Sequence, residues 1–230
     1  MLKFNIKTNI DSMIKRMSDI EKQQVPFALS QTLNDLAAEF AVKMQSVQRQ
    51  TYDSPTPFTV NSFSTRGGKS RFMPGGRATK RKLISTVTPG AGMKGPNYDG
   101  RDATRRMNQV AGLQTEGGIK LPYKRKIPIP SPKARLNKYG NIPNKSTQNG
   151  LANLIAKKDT FIGGQGRAKH LRDGVYQRMK NGKLKPLIFF EDRASYRRNL
   201  PTFTTARRIV KSRTQILFRN RFRKALLTAR

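Results

Sequence analysis

The stretch PFALSQTLNDLAAEFAVKMQSV, residues 26–47, sets the architecture. Leu29, Leu33, Leu36, Phe40, Met44 and Val47 recur every three or four residues, which places them on one narrow stripe of an α-helix. Asn34, Asp35 and Glu39 lie off that stripe. Pro26 suits a first helical turn, where its missing N–H is not needed, so Val25-Pro26 reads as the opening of the helix. Asp53-Ser54-Pro55-Thr56-Pro57 closes it. The six stripe residues are candidates for packing on a preceding helix or on a neighbouring subunit. Ahead of the helix, Leu2, Phe4 and Ile6 alternate with polar residues as in a short half-buried strand. Asn9 can cap a first helix with Ile10, Met13, Ile14, Met17 and Ile20 on one face.

The texture changes after residue 60. Gly67-Gly68, Pro74-Gly75-Gly76, Pro89-Gly90 and Gly95-Pro96 punctuate a basic stretch. Lys82 to Val87 reads as a strand, and Asp102 to Leu113 as a short helix. Residues 117–150 have no helical period. Ile127-Pro128-Ile129-Pro130-Ser131-Pro132 must be extended, because each proline drives the residue before it out of the helical region. Farther on, Gly174 to Arg178, the turn Lys180-Asn181-Gly182-Lys183 and Lys185 to Phe190 read as a β-hairpin. Pro201 or Thr202 leads into a last helix, about 203–228. Val210, Leu217, Phe218, Phe222, Ala225 and Leu226 line one side of it, with Arg213, Arg219, Arg223 and Lys224 opposite. The expected fold is α+β: an N-terminal strand and two helices, a long irregular basic middle, a late β-hairpin and a C-terminal amphipathic helix. The expected divisions are 1–60, 61–160 and 161–230, with the two ends able to pack together as one domain around the middle.

Charge is distributed as unevenly as structure. Residues 1–53 carry 7 Lys/Arg against 6 Asp/Glu, whereas the whole chain of 230 residues has a net charge of +34. From Arg193 onward there are 12 basic residues and no acidic one. A compact body so charged repels itself unless anions neutralise it. The clusters Lys80-Arg81-Lys82, Arg105-Arg106, Lys124-Arg125-Lys126, Arg197-Arg198, Arg207-Arg208 and Arg219/Arg221/Arg223/Lys224, with Arg213, are candidate contacts to nucleic acid or to acidic protein surfaces. Cations of this kind bind phosphates without sequence preference and with a steep dependence on salt. Tyr98, Tyr123, Tyr139 and Tyr176 lie among them, but they fit no RNA-recognition motif and read more readily as packing residues.

Catalytic and cofactor chemistry finds little support. Cysteine is absent and His170 is the single histidine, so thiolate and His-rich metal sites within one chain are excluded. Gly67-Gly68-Lys69-Ser70 lacks the first glycine of a phosphate-binding loop, since position 63 is Phe. Gly163-Gly164-Gln165-Gly166 lacks the spacing and the βαβ setting of a dinucleotide turn and reads as a tight turn. His170 stands among cations and reads as a surface residue. Glu191-Asp192 is expected to pair with local arginines or to begin a loop. The expectation is no enzyme, no cofactor and no metal. No apolar run approaches the 18 residues of a span, the densest being Pro186 to Phe190, so no membrane partner is expected. The alternating start does not read as a secretory signal, and the chain reads as intracellular where it is made.

The layout as a whole resembles the minor tail protein Z group of tailed bacteriophages and is similar in outline to tail-completion and neck proteins. The resemblance rests on the helix Val25 to Ala37 running on toward Asp53-Ser54-Pro55-Thr56-Pro57-Phe58-Thr59, the basic Gly/Pro-rich centre, the late hairpin and the end Phe222-Arg223-Lys224-Ala225-Leu226-Leu227. It covers mainly residues 1–65 and 172–228. It implies a virion protein at the head–tail junction or proximal tail, made in the host cytoplasm. It also implies assembly as a ring of copies against portal, adaptor or tail proteins, with basic surfaces near genomic DNA. The alternative from composition is a ribosomal or other RNA-assembly protein; a DNA-processing enzyme would need a carboxylate cluster that is not apparent.

Overall fold

The long amphipathic stripe builds a helix longer than its proline suggests. The computed structural model describes residues 19–64, 76–89, 110–122, 126–141, 152–164 and 168–228. Helix α1 runs over Asp19–Thr51 with Pro26 in its interior. Val25-Pro26 therefore does not open a helix, as the sequence suggested. An interior proline removes one backbone hydrogen bond and costs about 3 kcal/mol. Burial of Val25 and Ala28 on either side of it offsets that loss. The expected strand over 2–7 and the side chains of the expected first helix lie outside the described residues.

The chain is α+β and divides into two units, one formed by 1–116 with 198–230 and one by 117–197. The hairpin expected to share a division with the C-terminal helix thus belongs to a different unit from it. Helical packing joins sequence-distant ends in the first unit, whereas strand pairing gathers 117–197 into the second.

In the first unit, α1 packs on the C-terminal helix α3, Thr202–Leu227. Between them in sequence, Thr56 caps the four-residue helix α2, Pro57–Val60, by accepting the Thr59 N–H at 3.1 Å. Strand β1, Phe63–Ser64, pairs antiparallel with β2, Thr88–Pro89. Residues 82–87, expected as a strand, are irregular. Among the described residues no strand pairs with them, and β-prone residues form a strand only where a partner edge receives them. Instead Val87 enters the core, with Ala37, Phe40, Ala41, Met44, Val47, Phe63, Ala111, Leu200 and Ala206. Phe40 and Phe63 meet edge to face at 5.9 Å. Leu36, Phe40, Met44 and Val47 are therefore buried in the chain's own interior rather than offered to another subunit. Leu29 and Leu33 are half-buried.

Some buried polar groups of this unit bond along their own helix and others bond across the chain. Thr32 donates to the Ala28 carbonyl and Ser30 to the Phe27 carbonyl, so both hydroxyls are satisfied along the helix. The Asn34 amide donates to the Ala78 carbonyl at 3.1 Å and accepts its N–H at 2.7 Å, which pins the segment 76–82 to α1. Thr115, in the helical residues 110–116, shares a buried 2.8 Å hydrogen bond with Thr202 at the start of α3.

The second unit is built on a four-stranded antiparallel sheet and a two-stranded ribbon. The ribbon pairs β3, Gly118–Lys120, with β8, Ala194–Tyr196. The sheet has β4, Ile127–Pro130, and β5, Thr160–Gly163, at its edges, with β6, Gly174–Arg178, and β7, Leu184–Glu191, between, in the order β4-β7-β6-β5. The middle of the chain, expected to be irregular, thus supplies strands on both sides of residue 126. β6 and β7 are the hairpin marked by Asn181-Gly182. Gly182 takes φ +77 and its N–H bonds the Met179 carbonyl, while the Met179 N–H bonds the Lys183 carbonyl. This is a type I turn followed by a glycine bulge. Pairing then skips Leu187, since Val175 faces Ile188 while Tyr176 faces Pro186. The bulge accommodates a proline that has no N–H for the ladder. Val175, Leu187 and Ile188 form the small core of this unit.

Candidate polyanion interface

The described candidate cations separate into those paired within the fold and those that are exposed. Helix α3 carries eight Lys/Arg and no acidic residue. Two of them turn inward. Arg213 grips Glu39 of α1 through Nε and Nη2, both at 3.0 Å. Arg221 grips Asp35 through Nε at 2.6 Å and Nη2 at 2.7 Å. These two-pronged contacts raise both guanidinium pKa values above the ordinary range, the hydrogen bond being the main cause in each. Arg213 was expected on the outer face with Arg219, Arg223 and Lys224. It sits instead on the α1 side, because a carboxylate one helix away outweighs its place in a basic run.

The other six, Arg207, Arg208, Lys211, Arg219, Arg223 and Lys224, are exposed. Five of them, Lys224 excepted, fall on the exposed side of α3. Over the 16 steps from Arg207 to Arg223 they extend about 24 Å at 1.5 Å per residue. No ion pair engages them among the described residues. In the same unit Lys80, Arg81 and Lys82 are exposed on the turn held by Asn34. The Lys80 ammonium lies 5.2 Å above the Phe27 ring. Thr79 closes this turn, bonding Lys82 through backbone and hydroxyl. Arg207, Arg208 and Lys211 complete the stripe. They fall on the outward side only because the helix is docked by Ala206 and Ile209, which charge clustering alone does not reveal.

Within the second unit, Lys126 is withdrawn in the same way. Its ammonium lies 2.6 Å from Asp173 and 3.3 Å from Asp192. The hydrogen bonds to Asp173 and then Asp192 raise its pKa. Glu191 pairs with Arg172, whose guanidinium also lies 4.8 Å over the Phe189 ring. Glu191 and Asp192 are thus each engaged by a cation. Arg197 and Arg198 are exposed. Arg105, Arg106, Lys124 and Arg125 lie outside the described residues, as do Tyr98 and Tyr123. Tyr176 is buried, stacked on Phe161 and edge-on to Phe189, with its hydroxyl donated to the Arg172 carbonyl. It is a packing residue. His170 is exposed in a turn.

Among the described residues no group of three or more His, Cys, Asp or Glu is placed to hold a metal ion. No described helix is long and apolar enough to cross a membrane. The apolar cavity between Phe40, Val87, Ala206 and Ile209 measures about 40 Å³, room for little more than a methyl group or a water. The exposed candidate cations among the described residues present their charge on surfaces. Compared with protein-family models, with curated proteins and with solved structures, the chain matches none.

Proposed function

We propose that this chain is a structural virion protein of a tailed bacteriophage, at the head–tail junction or in the proximal tail. In this reading copies assemble as a ring beside portal, adaptor or tail proteins, with basic surfaces near the DNA path, and no catalysis is involved. The observation that carries the polyanion part is the stripe Arg207, Arg208, Lys211, Arg219 and Arg223 on a helix without one acidic residue. Cations held on a helix and without an ion pair among the described residues suit a partner of dense, repeating negative charge, such as a phosphate backbone. The placement in a virion rests on the sequence resemblance.

Two measurements test it. Mass spectrometry of purified virions should find the chain in many copies, and its absence would sink the virion reading. Binding to a 20-base-pair duplex should be indifferent to sequence and should weaken steeply with salt. Replacing Arg207 and Lys211 with Glu should lower the slope of log K against log salt by about 2. An unchanged slope would remove α3 from the DNA path. Co-sedimentation with ribosomal subunits in moderate salt would favour an RNA-assembly protein instead.

A further inference from the structure

Beside the α1–α3 packing seam runs an open groove of about 780 Å³, lined from α1 by Val42 and Lys43 and from α3 by Arg208 and Ile209, among others. Val42 is 66% exposed, an apolar side chain on a helix whose other large apolar residues are mostly covered. The apolar line continues on α3. Ile216 follows Ile209 by seven residues, two helical turns, and so lies on the same side; it is 50% exposed. The charged groups beside this line are one-sided. Lys43 and Arg208 line the groove from its two helices, and the exposed Arg219 and Arg223 follow farther along α3, beyond its lining. Glu39, the only carboxylate among the described residues lining the groove, is already gripped by Arg213.

We propose that this groove receives an amphipathic helix of a different protein, with apolar residues on one face and Asp or Glu along its flanks. An unpartnered apolar line between two helices is filled by a third helix with its own stripe. Cationic lips select acidic flanks and reject basic ones. A second copy of this chain is the wrong occupant, since each copy adds +34 and α3 offers no acid. This site stands apart from the DNA-path reading and shares with it only Arg208, Arg219 and Arg223.

The test uses the full chain and a fluorescein-labelled 21-residue helical peptide with Leu on one face and Glu on the other. Its Lys-for-Glu counterpart and a 20-base-pair duplex serve as controls. Fluorescence anisotropy at 0.3 M NaCl should show saturable binding of the acidic peptide and none of the basic one. Val42→Glu and Ile216→Glu should each weaken the acidic peptide at least tenfold and leave duplex binding within twofold. Both positions are exposed, and circular dichroism should show both variants folded. Acidic-peptide binding that survives both substitutions would overturn the proposal, leaving only diffuse attraction between opposite charges. Absence of saturable binding by the wild type would overturn it too, as would a dimer in sedimentation that Val42→Glu dissociates. Loss of duplex binding alone would count against the DNA-path reading and leave this site intact.

Discussion

Gly174 has no room for a side chain. A Cβ built on it would stand 2.3 Å from the Ile188 carbonyl oxygen, on the neighbouring strand of the sheet. Gly174→Ala must push β6 from β7 beside the bulge, and should cost about 1–3 kcal/mol in urea denaturation of the full chain. Tyr52 sets a different condition. Packed against the first unit's core, its phenol is pushed up to about 12 by burial. The folded protein therefore keeps a proton that the unfolded chain releases from about pH 10. Stability should hold below that pH and fall as pH rises toward 12. Lys126, also raised, acts in the same direction from its ordinary lysine range upward. Tyr52→Phe should flatten the decline measured by urea denaturation between about pH 9 and about pH 11.5, and an equally steep decline would exclude Tyr52 as its source. Neither residue stood out in the sequence. A glycine's need for space and a phenol's loss of water both depend on neighbours brought from elsewhere in the chain.

The elements differ in how plainly they could be read. The β6–β7 hairpin was visible because a turn is a local event, set by Asn181-Gly182 and the runs beside it. The Pro128-Pro130 run read as extended for an equally local reason, but its role as an edge strand required β7. The Ser131 N–H bonds the Leu187 carbonyl, so alternation turns the nitrogens of Pro128 and Pro130 away from β7. The outer edge of β4 thus lacks two donors, which blunts it against pairing with another chain. Replacing both prolines with Thr should restore those donors and increase self-association, measured by light scattering at matched concentration and salt. An unchanged scattering profile would show that the edge is protected by other means. Residues 82–87 failed as a strand for the converse reason: no edge among the described residues pairs with them. The alternation of α3 was legible, but its rotation was not. Arg213 and Arg221 turn toward α1 because Glu39 and Asp35 lie across the interface, 174 and 186 residues away in sequence.

Across the molecule, carboxylates are few and many of those described are engaged by cations: Asp35, Glu39, Asp173, Glu191 and Asp192. Most of the other described cations are exposed, and the mutual repulsion of a large net positive charge opposes folding. Screening that repulsion should raise the thermal midpoint as NaCl increases from about 50 to about 500 mM, because the Debye length shrinks over that range. A midpoint that falls with salt would mean that the ion pairs contribute more than the repulsion costs. Charge, composition, the long apolar stripe and the hairpin turn were all legible in the sequence, since each depends on residues close together along the chain. Folding decided the rest: which cations are spent on carboxylates, which stripe residues are sealed in the interior, and that residues 198–230 join the first unit while the hairpin joins 117–197. Those outcomes rest on contacts between distant segments, and a carboxylate or a strand edge acts on whatever the fold brings within reach.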